Sequence, residues 1–182
     1  MEELFQTNTT KGQTLIEVVV ALGASVAIIA AITVSVLAAL GNIQFSKFQN
    51  LAQFYAQEGV ETMRRIRDTD WTVYSTYLGT PGTVAYFCLA KGQTIPTARS
   101  GGTCNINIDL GENGKFIREI QVVKDSPECR PVITPPAPDS VKGTKIYVNV
   151  GWFDSKCSSA TVPCHNVTLV SCLSDAQLIP TP

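Results

Sequence analysis

Glu17 is a lone carboxylate at the edge of an apolar run. From there to Lys47, across residues 18–46, the chain carries no charge, a window of 29 residues. A bilayer-spanning helix needs only ~20. A carboxylate in such a run is costly and is kept where it has a partner. Its chemistry is ionic. At a membrane interface it snorkels to the surface or takes up a proton; in a packed assembly of helices it neutralises a cationic amine. A charged pair in low dielectric holds only while both members are present, so a buried Glu17 depends on its partner. The other residues with chemical potential are six cysteines and a single histidine. Cys88, Cys104, Cys129, Cys157, Cys164 and Cys172 all follow the apolar run. An even set on one side of an anchor suggests disulfides in an oxidising compartment. No CxxC occurs, which argues against a zinc ribbon or a thioredoxin-like site. With His165 alone, no two-His metal site is available, and its place at the start of a predicted strand suits a hydrogen-bonding role. Asn105, Asn107, Asp109, Glu112 and Asn113 lack the spacing of an EF-hand loop. No GxxxxGK[ST] phosphate loop is present. No enzyme, no cofactor and no metal site is expected.

Around Glu17 the chain reads Lys11-Gly12-Gln13-Thr14-Leu15-Ile16-Glu17-Val18-Val19-Val20. This stretch resembles the prepilin processing site of type IV pilins and type II secretion pseudopilins. The resemblance implies a leader over residues 1–12, removed by a dedicated membrane prepilin peptidase. Gly12 would precede the cut, Gln13 would be the new N-terminus, and Glu17 would be the fifth mature residue. Lys11, Thr14 and Leu15 would belong to the recognised context. Glu17 would pair with the terminal amine of a neighbouring subunit. The chain departs from the family in three respects: Gln13 stands where most relatives have Phe, the leader carries Glu2 and Glu3, and the first proline is Pro81, so no proline kinks the apolar run. A secretory signal peptide fits poorly, since residues 1–10 hold no basic residue and the apolar core is too long. A plain single-pass anchor explains the length but not Glu17.

The chain of 182 residues has room for one domain and an anchor. A net charge of -1 and a pI near 5.8 provide no global basic field for nucleic acid.

The elements that must position these residues begin with one helix. Phe45, Phe48, Ala52, Tyr55, Gly59, Met63 and Ile66 follow one another in steps of three and four, a single face. Gln49, Gln53, Gln57, Glu58, Glu61, Arg64, Arg65 and Arg67 fill the others. The aromatic stripe reads as core rather than as a ligand box. The spacing predicts a nearly continuous helix over 13–67, roughly 80 Å at ~1.5 Å per residue. Gly23, Ala24, Ser25, Ala27, Ala30 and Ala31 permit close helix approach. Gly41-Asn42 is the expected place for bending. Arg64, Arg65 and Arg67 suit the helix C-terminus. The segment 56–71, with Arg67-Asp68 and Trp71 at its end, is similar to the helix exit of a pilin-like group.

Past Trp71 the period changes. Residues 77–83 are turn-rich. Strands are predicted over 84–89, 105–110, 116–123, 145–153 and 165–173, with a hairpin turn at Glu112-Asn113-Gly114 and loops at 90–103, 127–138 and 154–163. The last two strands resemble the closing hairpin of minor pilins. Six cysteines allow 15 connectivities. Flanking positions favour Cys157–Cys164 across the last loop and Cys88–Cys104 across the Gly-rich loop, leaving Cys129–Cys172.

The expected fold is α+β and pilin-like: a long N-terminal helix, its first half transmembrane and its second amphipathic, laid across an antiparallel sheet. The division is leader 1–12, membrane or filament-core helix 13–44, amphipathic half 45–70 and extracytoplasmic disulfide-containing domain 71–182. The resemblance implies a minor pilin or pseudopilin, held in the inner membrane before assembly and in a surface or periplasmic filament after it. Its partners would be the prepilin peptidase, other pilin or pseudopilin subunits, the inner-membrane assembly platform and the membrane, with nucleic acid only in a DNA-uptake pilus. The alternative is a single-pass anchored ligand-binding module that forms no filament.

Overall fold

The structure is a computed structural model that describes residues 13–102, 104, 116–129, 143–154, 157–158 and 162–174. Helix α1 runs Gln13–Thr69. The chain divides into two compact units, one ending at Ser46 and the other beginning at Lys47.

The first unit is the apolar part of α1. Every side chain from 15 to 46 is exposed. The helix is long and apolar enough to cross a membrane.

The second unit is α+β. It contains the amphipathic part of α1 and a short helix α2 (Trp71–Tyr77). Strands β1 (Val84–Cys88), β2 (Thr97–Ala98), β3 (Phe116–Val123), β4 (Gly143–Trp152) and β5 (His165–Ser174) complete it. They form one antiparallel sheet in the order β2-β1-β3-β4-β5. Period-two alternation sends one row of each strand towards the helix. That row includes Phe87 and Leu89, Phe116, Ile120 and Val122, then Ile146, Val148, Val150 and Trp152, and Leu173, all buried. The helix answers with Ala52, Ala56, Val60, Met63 and Ile66. Burying each of the larger side chains contributes about 1.5–3 kcal/mol before conformational entropy is counted.

The buried stripe is rotated slightly from the expected one. Ala56 and Val60 lie inside it, Phe48 and Tyr55 sit at its margin, and Phe45 is 40% exposed. Gly59 is buried because helix and sheet touch there. A Cβ added to it would stand 2.8 Å from Val148 Cγ1 and 3.2 Å from Arg118 Cδ.

Two elements differ from expectation. Trp71–Tyr77 is helical, started by Asp70, whose carboxylate accepts from the Val73 N–H at 3.0 Å. Tyr74 and Tyr77 fold beneath it into the core. Within the Gly-rich loop, Thr97 and Ala98 pair with Cys88 and Phe87 as a two-residue edge strand. β3 has β1 on one edge and β4 on the other; the strand at 105–110 and the turn at 112–114 expected to lead into it lie outside the described residues. Of the proline-rich loop, Pro127–Cys129 forms a 3-10 turn.

Candidate functional site

The expected processing and assembly residues belong to the first unit. Lys11 and Gly12 lie outside the described residues, as do the side chains of Gln13 and Thr14, although both of these fall within α1. Leu15 and Glu17 are exposed on the first turns of the helix. From Val18 to Gly41 the only polar side chains are Ser25, Thr33 and Ser35. Each hydroxyl donates to a carbonyl four residues back: Ser25 to Ala21 at 2.8 Å, Thr33 to Ile29 at 2.8 Å and Ser35 to Ala31 at 2.9 Å. Such back-bonding satisfies these donors within the helix, so this stretch presents an apolar surface with its hydroxyl protons engaged. That suits an environment without water. Gly23 and Gly41 have nothing within 4 Å of an added Cβ. They leave shallow positions where a second helix can approach closely.

The second unit is held together by a buried cation that no sequence motif marks. Arg118 is the one fully buried charged side chain among the described residues. It lies in the helix-facing row of β3, between Phe116 and Ile120. Its Nη1 donates to the Tyr55 carbonyl at 2.9 Å and to Glu58 Oε2 at 3.0 Å. Its Nε donates to the Leu89 carbonyl at 3.2 Å and its Nη2 to that of Ala90 at 3.3 Å. One guanidinium therefore ties α1 to the exit of β1. Burial pulls the Arg118 pKa down from its ordinary value, and the Glu58 carboxylate opposes that shift. The signal was in the phase: an Arg in an apolar row of alternating residues must face inward.

The arginines at the end of α1 reach the edge strand. Arg64 Nη2 donates to Ser171 Oγ at 3.2 Å, and Arg67 Nη1 to the Ser174 carbonyl at 3.5 Å. Arg67 also pairs with Asp68 at 2.8 Å and holds that carboxyl below its ordinary pKa. A groove of about 710 Å³ opens beside this region, lined by Phe54, Glu58, Glu61, Arg64 and Arg65 of α1, by Gly92–Thr94 and by Leu169–Ser171.

The structure joins Cys88 to Cys104, Cys129 to Cys172 and Cys157 to Cys164, spanning 16, 43 and 7 positions. Cross-links of this kind typically contribute ~2–4 kcal/mol. Beside the last of them, His165 Nε2 is 2.9 Å from Asp154 Oδ2, and the imidazole stacks on Trp152 with centroids 5.3 Å apart. Compared with protein-family models, curated proteins and solved structures, the chain matches none.

Proposed function

We propose that this chain is a structural subunit of a type IV pilus or type II secretion-like filament, made as a prepilin. In this reading prepilin peptidase cuts between Gly12 and Gln13. The apolar part of α1 then serves first as a single-pass inner-membrane anchor and later as filament core, with the α+β unit outside the cytoplasm. The observation that carries the reading is the contrast within one chain. A disulfide-bonded α+β unit buries its apolar residues, while residues 15–46 bury none and carry the lone carboxylate Glu17 near their start. An apolar surface that extensive requires a lipid or protein partner. A plain anchor gives Glu17 no role; a helical assembly does, through the terminal amine of the next subunit. The Cys-rich outer unit supports a minor pilin or pseudopilin over a major pilin.

The reading is tested by Glu17→Ala in cells that carry the peptidase and the assembly machinery. The variant is expected to be processed and membrane-held but absent from sheared filaments. Equal incorporation of variant and native chain would overturn the role of Glu17. A second reading is an anchored binding module without a filament, favoured by the groove between α1 and β5. It needs neither Gly12 nor Glu17, so the same variant would leave it fully functional.

A further inference from the structure

We propose that Asp154, Cys157, Cys164 and His165 form a latent Zn²⁺ site that opens when the Cys157–Cys164 disulfide is reduced. Each side chain offers one ligand atom, and the four atoms lie within 4.8 Å of one another. Asp154 Oδ1 is 3.6 Å from Cys157 Sγ and 3.8 Å from Cys164 Sγ. Asp154 Oδ2 is 2.9 Å from His165 Nε2. Around a tetrahedral Zn²⁺, with sulfur at ~2.3 Å and nitrogen or oxygen at ~2.1 Å, ligand atoms stand about 3.3–3.8 Å apart. The carboxylate-to-sulfur separations already lie near this range. Oδ1 faces the two sulfurs and Oδ2 faces His165, so a turn of the carboxylate brings one oxygen among the three other ligand atoms, and the sulfurs part to ~3.8 Å once their bond is broken. Two thiolates, an imidazole and a carboxylate are a ligand set for Zn²⁺ rather than for Mg²⁺ or Ca²⁺, which take oxygen.

The surroundings hold these groups in place without a metal. Cys157 N–H donates to the Asp154 carbonyl at 3.2 Å, and Asp154 N–H points to Cys157 Sγ at 3.2 Å, so Cys157 is held against Asp154. His165 is paired across the sheet with Trp152, whose indole stacks on its ring. Cys164 adjoins His165 in the chain and is exposed. Both sulfur-bearing residues of Cys88–Cys104, by contrast, are buried. Reduction proceeds by attack on an accessible sulfur, and Cys164 offers one.

In the oxidised chain the sulfurs are bonded to each other and are not thiolates, so the ligand set is incomplete. A water-soluble phosphine completes it. The phosphine attacks Cys164 Sγ, the S–S bond breaks and Cys157 leaves as a thiolate. Water hydrolyses the phosphonium, releasing the Cys164 thiol and the phosphine oxide, which carries away the oxidation. Zn²⁺ binding then expels the thiol protons to solvent. Disulfide and metal are therefore alternatives at one place, the metal belonging to the chain before oxidation or after reduction.

The test uses the full chain in detergent micelles, treated with phosphine and titrated with Co²⁺ as the spectroscopic probe. Reduced native chain is expected to take up Co²⁺ with the intense absorption of tetrahedral thiolate coordination, and to lose it when Zn²⁺ is added. Oxidised chain is expected to show none. Under the same reduction the double variant Cys157→Ser, Cys164→Ser should lose the signal. Asp154→Asn and His165→Asn, with near-ultraviolet circular dichroism unchanged, should weaken binding about tenfold or more. Absence of the absorption in reduced native chain would overturn the proposal. So would its persistence in the double serine variant, which would place the metal on the other cysteines, or unchanged affinity in both the Asn variants.

Discussion

Replacing Arg118 by Leu removes the buried cation and the four hydrogen bonds it donates. The cost divides unevenly among its partners. The Glu58 side chain is 41% exposed, so its carboxylate rehydrates and loses little. The carbonyls of Leu89 and Ala90, and the second lone pair of the Tyr55 carbonyl, lose a donor beneath the helix. An unsatisfied buried group costs ~1–3 kcal/mol, and one or two of these three should remain dry behind Leu. The smaller side chain also vacates the volume that the guanidinium fills beside the Leu89 and Ala90 carbonyls. Together these give a destabilisation of about 3–5 kcal/mol. The converse change, Glu58→Gln, leaves Arg118 buried with its three carbonyls and an amide oxygen in place of the carboxylate. The expected loss is about 1–2 kcal/mol, well below the cost of stripping every partner from a buried charge. Urea unfolding of the full chain in micelles, followed by tryptophan fluorescence, reads both; Trp152 lies in the same core. The reasoning fails if Arg118→Leu unfolds within ~0.5 kcal/mol of the native chain, the range expected of ordinary surface changes. It also fails if Glu58→Gln proves the more damaging of the two.

Three further outcomes follow from the same geometry. Gly59→Val should destabilise by about 2 kcal/mol or more, since its first added atom already stands 2.8 Å from Val148; thermal unfolding should show Gly59→Ala intermediate between Val and native. Asp70→Ala should cost ~1 kcal/mol through loss of the α2 cap, seen as faster amide exchange at Val73 with little change in β4. Asp68, whose carboxyl is held down by Arg67, favours the folded state above its unfolded pKa, and this contribution is lost as pH falls through the folded pKa. Any stability gap between native chain and Asp68→Asn, measured by urea unfolding, should therefore narrow on acidification and persist at neutral pH.

Much of the α+β unit is legible in the sequence because burial there follows a period. The steps from Phe48 through Ala52 and Tyr55 to Met63 and Ile66 mark a helix face, and alternation in 145–153 marks β4. The centre of that face differs slightly from the aromatic stripe, because Ala56 and Val60 are smaller than Phe48 and Tyr55 yet sit deeper. Where periodicity has no room to operate, the reading fails. β2 is two residues long and exists only through its pairing with Phe87 and Cys88. α2 is built from Thr72, Val73, Tyr74, Thr76 and Tyr77, residue types that favour strands, and only its Asp70 cap announces a helix. Arg118 was visible in principle through its phase in β3. The meeting of Asp154 with His165 was not, since it depends on the β4–β5 register that sets His165 opposite Trp152. At the N-terminus the legible signal is chemical rather than periodic: a lone carboxylate and a glycine at a fixed spacing from it.

The processing claim is the one on which the functional account turns. It is tested most directly by the mature N-terminal sequence, read by mass spectrometry on chain expressed with a prepilin peptidase. The account predicts a terminus at Gln13 that disappears when Gly12 is substituted. An intact terminus at Met1 in normally exported protein would contradict it and leave an anchored binding domain.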